Sequence, residues 1–311
     1  MNLLDGLLLG ALLITAVVAV CVPRRAAATT AFLIFGILLA LLWGRFGAPD
    51  IALAEAALGG GVAGALLVDA LERRQPPLER RSGRSAAASL VVVALAGAAS
   101  LVLLLGVVRN LSAEPSPLRD AAIGEIEGTG VTHPITAVLL SYRSLDTLLE
   151  IAVLVIAAFA ACAVARESFR PLRATDPIRR ALAILVLPAL LMVAIWILVA
   201  GTSRPGGAFQ AGALIGAGLV IAHLTGMPML TPSLRVGLLI AGVSLAAFIG
   251  LAAIGFAITG AWFGMEPAWA GAAILTIEAV LAVGIGVALA LVFLSAGARD
   301  AHTPRLAEVG R

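Results

Sequence analysis

The chain has 311 residues, of which 61% are hydrophobic and only 13% are charged. Soluble domains are nearer half apolar and a quarter charged, so this composition excludes an ordinary soluble domain and indicates a polytopic membrane protein. The formal net charge is +3, and all 21 basic residues are arginines that lie mostly between the apolar stretches, which argues against nucleic-acid binding.

Nine apolar stretches are long enough to cross a bilayer, which takes about 20 residues of helix. In chain order they cover residues 3–22, 26–44, 51–70, 86–108, 146–165, 181–201, 207–226, 236–260 and 270–295. The N-terminal region has neither a basic segment nor a cleavage site, so the first stretch is expected to be a retained span. We therefore predict an all-α polytopic membrane protein with about nine transmembrane helices.

The distribution of arginine predicts the orientation of these spans. Sixteen of the 21 arginines lie in the loops after the first, third, fifth and seventh stretches and in the C-terminal tail. The opposite side holds the other five, which are Arg45, Arg109, Arg119, Arg143 and Arg204. Because basic residues accumulate on the cytoplasmic side of a membrane, the N-terminus is predicted to lie outside and the C-terminus in the cytoplasm.

The third stretch opens with the sequence GAPDIALAE, which holds two acidic residues. Pro49 suits a first helical turn, and Asp50 is interpreted as a cap that complements the helix dipole. Glu55 lies about 7–8 Å deeper, at about 1.5 Å per residue. A carboxylate at that depth either carries ions or protons or forms a buried structural hydrogen bond. The following Gly59 and Gly60 allow close helix packing or a local break in the helix.

The fifth stretch opens with the sequence SYRSLDTLLE. Asp146 and Glu150 are four residues apart and share a helix face, and Arg143 can pair with Asp146. Pairing would keep Asp146 ionised, which leaves the deeper Glu150 as a candidate proton carrier. The alternative is a salt bridge at the helix start beside one structurally hydrogen-bonded glutamate.

The ninth stretch contains Glu278, which has no basic residue nearby in the sequence. For this residue an ion-path role and a structural hydrogen bond stay equally open. The predicted orientation puts Glu55, Glu150 and Glu278 at a similar depth in the outer half of the membrane. They are therefore expected to contribute to one polar path.

The seventh stretch opens with a glycine-rich turn that contains Pro205, Gly206, Gly207 and Phe209. A turn of this kind before a helix can bind phosphate, but no Lys-Ser/Thr pair follows it. Nucleotide binding is therefore not expected at this turn.

These motifs resemble those of Mrp-type Na+/H+ antiporters, which are assembled from several membrane proteins. GAPDIALAEAALGGG and SYRSLDTLLEIAVLVIAAFA resemble two modules in the C-terminal part of the MrpA protein, and RPGGAFQAGALIGAG resembles the start of a span in the MrpB protein. The resemblance implies three fused blocks: an MbhD-like block of three helices at 1–85, an MbhE-like block of two at 86–170, and an MnhB-like block of four at 171–311. The first five spans would be similar to the J subunit of respiratory complex I.

The resemblance also implies roles for particular residues. The acidic positions of the family correspond to Asp50, Glu55, Asp146 and Glu150, and the resemblance implies that all four belong to the ion and proton path. The MrpB motif corresponds to Gly206, Gly207 and Phe209. Glu278 matches more loosely, because MrpB proteins usually have an aspartate near this position. No catalytic residue, cofactor or metal site is implied.

The implied function is that of an accessory subunit that lines part of a cation and proton path in the bacterial inner membrane. The large antiporter-like subunits of this superfamily use lysine in broken helices, and this chain contains no lysine. Its expected partners are those large subunits, a small K-subunit-like protein, Na+, H+ and the lipid bilayer. Two alternatives stay open: a membrane-arm subunit of a redox-driven, complex I-like or membrane-bound hydrogenase complex, and a structural scaffold.

Overall fold

A computed structural model describes residues 3–72, 117–164, 177–227 and 233–298, with scattered positions between 95 and 109. All regular secondary structure in these residues is helical. The chain divides into two units, of which the first comprises Met1–Glu72 with Glu125–Arg311 and the second comprises Arg73–Gly124. The second unit contains the short helix α5 (Pro117–Gly124).

The first unit begins with three long helices. Helices α1 (Leu3–Cys21) and α2 (Arg25–Arg45) pack against each other. The third helix starts as α3 (Pro49–Ala54), continues through a first π-helical segment (Glu55–Ala63) and ends as α4 (Gly64–Glu72). A π-helical stretch within a transmembrane helix interrupts the regular hydrogen-bond register.

The rest of the first unit follows in two groups of helices. A 3-10 turn and a broken helix come first: Ile126–Thr129, α6 (Pro134–Ala137) and a second π-helical segment (Val138–Tyr142). The long helices follow: α7 (Ser144–Val164), α8 (Pro177–Ala200), α9 (Ala208–Leu224), α10 (Leu234–Thr259) and α11 (Pro267–Ala298).

Seven of the described helices are long and apolar enough to cross a membrane, and α9 is a shorter apolar helix of 17 residues. The predicted stretch at 86–108 falls largely outside the described residues, although the scattered positions described there are helical. Seven of the nine predicted spans therefore have a counterpart of full length. The predicted orientation of the N- and C-termini stays a prediction.

Helix α11 forms the centre of the first unit, because 72% of its membrane-spanning stretch is buried, against at most 28% for the other spans that the structure describes. It packs against α7, α9 and α10. A Cβ atom on Gly212 would lie 2.7 Å from Ile285 Cγ2, and one on Gly216 would lie 2.9 Å from the Gly286 carbonyl oxygen. Glycines four residues apart therefore allow α9 and α11 to approach closely.

Candidate functional site

A cavity of about 550 Å³ lies where α3, α6, the second π segment, α7, α9 and α11 meet. Three acidic residues from distant parts of the chain line it, namely Asp50, Glu150 and Glu278. The other polar side chains in its wall are Thr136, Thr147 and Gln210, and the remaining lining residues are apolar or glycine. The structure therefore brings two of the three predicted deep glutamates to one cavity.

Asp50 connects three segments of the chain at this cavity. Its Oδ2 lies 3.0 Å from His133 Nε2, and its Oδ1 accepts the Gly206 N–H at 3.3 Å. The Gln210 side chain donates to the Asp50 backbone oxygen at 3.4 Å. Asp50 lies in the first turn of α3, as predicted for a carboxylate that complements the helix dipole, but Ala48 occupies the N-cap and the carboxylate bonds lead away from its own helix.

The turn before α9 directs backbone N–H groups at two carboxylates. The Gly206 N–H faces Asp50, and the Ala208 N–H donates to Glu278 Oε1 at 3.4 Å. The first N–H groups of a helix lack intrahelical partners and lie at the positive end of its dipole, which favours carboxylates here. Gly207 has φ +117°, and a Cβ there would lie 3.0 Å from Glu278 Oε1, so the site requires glycine.

The residues of the two predicted structural motifs lie at the helix starts at which the sequence placed them. Pro49 occupies the start of α3, and Pro205 lies in the turn before α9. A Cβ on Gly206 would overlap the Ile197 carbonyl oxygen, so this position also requires glycine. Phe209 lines the cavity and packs against the hydrophobic core.

Glu278 is the most deeply buried of the candidate residues, with 5% of its surface exposed. Its Oε1 accepts the Ala208 N–H, but its Oε2 is buried and has no hydrogen-bond partner among the described residues. A buried carboxylate oxygen without a partner is costly. This oxygen is therefore available to a proton, a cation or a water molecule in the cavity.

Glu150 borders the same cavity from the second turn of α7, and its side chain is also exposed on the outside of the unit. One turn earlier Asp146 pairs with Arg143, as their spacing predicted. This ion pair is 43% and 67% exposed and does not line the cavity. Asp146 therefore differs from Glu150 in its surroundings although both lie on α7.

Glu55 does not line the cavity, although Ala54 and Leu58 on the same helix do. It begins the first π segment, and its carboxylate lies over Gly59, where a Cβ would overlap Glu55 Oε1. The segment also contains Gly60, so the glycine run coincides with the local irregularity that it allowed. Among the described residues, none forms a hydrogen bond or an ion pair with the Glu55 side chain.

Sequence reasoning missed His133, which lies at the N-cap of α6 directly before Pro134. The His-Pro pair indicates the start of a helix, but nothing in it points to Asp50, which lies 83 residues earlier. Gln210 was missed for the same reason, because its partner is in a distant segment.

Two family matches cover separate parts of the chain. Residues 10–76 match the MbhD family, described as the D subunit of MBH, and residues 178–295 match the domain related to the MnhB subunit of Na+/H+ antiporter. The fusion of an MbhD-like and an MnhB-like part that the motifs predicted is confirmed. No curated protein matches the chain.

Two solved structures share the fold. One is a chain in the Mrp complex from Dietzia sp. DQ12-45-1b, at 21% identity and a TM-score of 0.73 over 96% of this chain and 35% of that one. The other belongs to the membrane-bound sulfane sulfur reductase (MBS), an archaeal respiratory membrane complex, at 20% identity and a TM-score of 0.54 over 66% of this chain and 97% of that one. The chain thus spans about a third of the length of the Mrp chain that it matches.

Proposed function

Because the chain joins an MbhD-type domain to an MnhB-related domain in one polypeptide, we propose that it is an accessory membrane subunit of an Mrp-type monovalent cation/proton antiporter complex. Its contribution is the cavity, whose carboxylates form part of the route for ions or protons. Asp50 connects the segments that form the wall of the cavity. Glu150 and Glu278 offer carboxylate oxygens to the cations or protons that pass through it.

The observation that carries this proposal is the unpartnered Oε2 of Glu278. A carboxylate that only held helices together would use both oxygens in hydrogen bonds, because a buried unpaired oxygen costs about 1–3 kcal/mol. Ionisable groups within membrane spans usually face a polar cavity and serve ion or proton movement. Among the described residues, Glu278 combines deep burial, an oxygen without a partner, and a cavity that it shares with Glu150.

The test is Glu278→Gln in the assembled complex, with Na+/H+ exchange measured in everted membrane vesicles. The substitution keeps the shape of the side chain and removes its charge, so we expect most of the exchange to be lost while the levels of all subunits stay normal. Glu266→Gln is the matched control, because Glu266 lies in the exposed loop directly before α11. Normal Na+/H+ exchange in the Glu278→Gln complex would refute the proposal that ions or protons pass along the Glu278 carboxylate.

The other acidic residues have separate expected roles in this proposal. Glu150→Gln in the same assay should also lower exchange, whereas Asp146→Asn should change it little, because Asp146 is paired outside the cavity. Glu55 belongs to the path only if a neighbouring protein of the complex extends the polar route to the face of the first π-helical segment on which Glu55 lies. If Glu55→Gln, Glu150→Gln and Glu278→Gln all leave exchange intact in assembled complexes, the chain is a scaffold.

A second candidate is a membrane-arm subunit of a redox-driven complex, in which the same carboxylates would move coupling protons. The similarity to a chain of the sulfane sulfur reductase complex favours it. Gentle purification of the tagged chain followed by mass spectrometry separates the two. The antiporter proposal expects only membrane subunits, which are large antiporter-like proteins and a small K-subunit-like protein from the bacterial inner membrane, whereas the redox proposal also expects iron–sulfur proteins.

A further inference from the structure

Helix α7 has two different faces. The face directed at the rest of the unit is buried along its length and comprises Ser144, Thr147, Ile151, Val155, Ala158 and Cys162. The opposite face carries Leu149, Val153 and Ile156, which are 62%, 66% and 65% exposed. Glu150 is exposed beside them, and we call Leu149, Glu150, Val153 and Ile156 the α7 surface.

Lipid can cover the three apolar residues of the α7 surface but not Glu150. Acyl chains offer no hydrogen-bond donor, and a carboxylate that faces hydrocarbon costs several kcal/mol, roughly as much as a charge at the centre of a transmembrane helix. Glu150 therefore calls for protein on the α7 surface.

Within the described part of the chain, no basic side chain pairs with Glu150. The sequence contains no lysine, and the predicted span at 86–108 has no basic residue. Arg143, the nearest arginine in the sequence, forms its ion pair with Asp146 and attracts the Glu150 carboxylate only from a distance. Glu150 lies a further turn along the helix, about 10 Å from Arg143 along the axis at 1.5 Å per residue. Another polypeptide is therefore the source we expect for a basic side chain at Glu150.

We propose that a transmembrane helix of another protein of the complex packs on the α7 surface and presents a lysine, arginine or histidine side chain to Glu150. Apolar contacts with Leu149, Val153 and Ile156 would form the body of the interface, and the ion pair would set its register. The inference rests on the proposed function only in taking the chain as one component of a membrane complex. It does not depend on which ion is moved.

The test is site-specific photo-crosslinking in the full complex in native membranes. The photoreactive residue p-benzoylphenylalanine replaces Val153 or Ile156, and Leu185 on α8, which is 74% exposed, is the matched control position. We expect both α7 positions to crosslink to one helix of another protein, and peptide mass spectrometry should find a basic residue in it within about one turn of Glu150. Leu185 should not crosslink to that helix. Crosslinks to lipid alone, to residues 86–108, or to a helix without a basic residue would each overturn the proposal.

A charge exchange tests the ion pair itself. Glu150→Lys should lower the crosslink yield by about tenfold, because like charges then face each other across the interface. Replacing the identified basic residue by glutamate in the same complex should restore it. A yield unchanged by Glu150→Lys would overturn the proposal. Crosslink yield does not require transport, so normal exchange in Glu278→Gln would refute the proposed function and leave this interface standing.

Discussion

His133 Nε2 lies 3.0 Å from Asp50 Oδ2, across 83 residues of chain, and both side chains are largely buried. The contact joins the start of α3 to the loop before α6. Because Asp50 also accepts the Gly206 N–H, one carboxylate holds three segments together in the wall of the cavity. The predictions below follow from this arrangement and from the groups next to it.

The Asp50–His133 contact should contribute measurable coupling energy. In a double-mutant cycle of Asp50→Asn and His133→Gln, we expect a coupling of about 0.5–3 kcal/mol in the free energy of unfolding, because the two groups touch and are shielded from solvent. Unfolding of the purified protein in mixed micelles measures it. The exposed Arg143–Asp146 pair is the control, with an expected coupling below about 1 kcal/mol. Equal coupling in both pairs would contradict the prediction.

Gly207→Ala should disturb the turn before α9. The backbone there has φ +117°, and forcing an L-residue into such a conformation costs about 1–3 kcal/mol. The added methyl group would also lie 3.0 Å from Glu278 Oε1, so the bond from Ala208 should weaken. Thermal unfolding of the assembled complex checks this.

The control for that substitution is Gly242→Ala in α10, where an added Cβ meets nothing within 4 Å. Alanine favours helix over glycine by about 1 kcal/mol, so this variant should be neutral or more stable. A Gly207→Ala complex as stable as the Gly242→Ala complex would argue against the strained turn.

Glu278→Leu should separate stability from activity. The substitution removes a buried oxygen that has no partner among the described residues, but it also removes the acceptor of the Ala208 N–H; because each effect is about 1–3 kcal/mol, we expect them to offset, so that the free energy of unfolding changes by less than about 2 kcal/mol while exchange is lost. Unfolding in micelles and vesicle transport assays give the two readouts. A fall in stability of more than about 3 kcal/mol would exceed the loss of the Ala208 bond and would mean that Oε2 has a structural partner in the complex.

Gly59→Ala should displace the Glu55 carboxylate with little cost in folding. The new Cβ would overlap Glu55 Oε1, and a flexible side chain can move away, so the free energy of unfolding should change by less than about 1 kcal/mol. Carbodiimide labelling of Glu55, followed by mass spectrometry, should change with the displacement. Gly61→Ala is the control, because its Cβ would make only an ordinary contact of 3.4 Å with the Ala56 oxygen. Equal labelling in both variants would contradict the prediction.

The sequence by itself determined the elements that depend on local residues and on the bilayer. Long apolar stretches must form helices, because backbone N–H and C=O groups in hydrocarbon have to form hydrogen bonds with one another. This rule correctly predicted the seven long helices that the structure describes. Local rules also sufficed for Pro49 at the start of α3, for the glycines before α9, and for the Arg143–Asp146 pair. The motifs sufficed for the two domain types.

Only the tertiary structure decided which acidic residues meet. Counting residues gives the depth of a carboxylate in the membrane, but its direction around the helix matters only once the neighbouring helices are known. Glu150 and Glu278 line the same cavity, whereas Glu55 does not line it. The Asp50 carboxylate bonds to His133 instead of capping its own helix. These contacts depend on close packing between segments far apart in the chain, and no local pattern of residues encodes them.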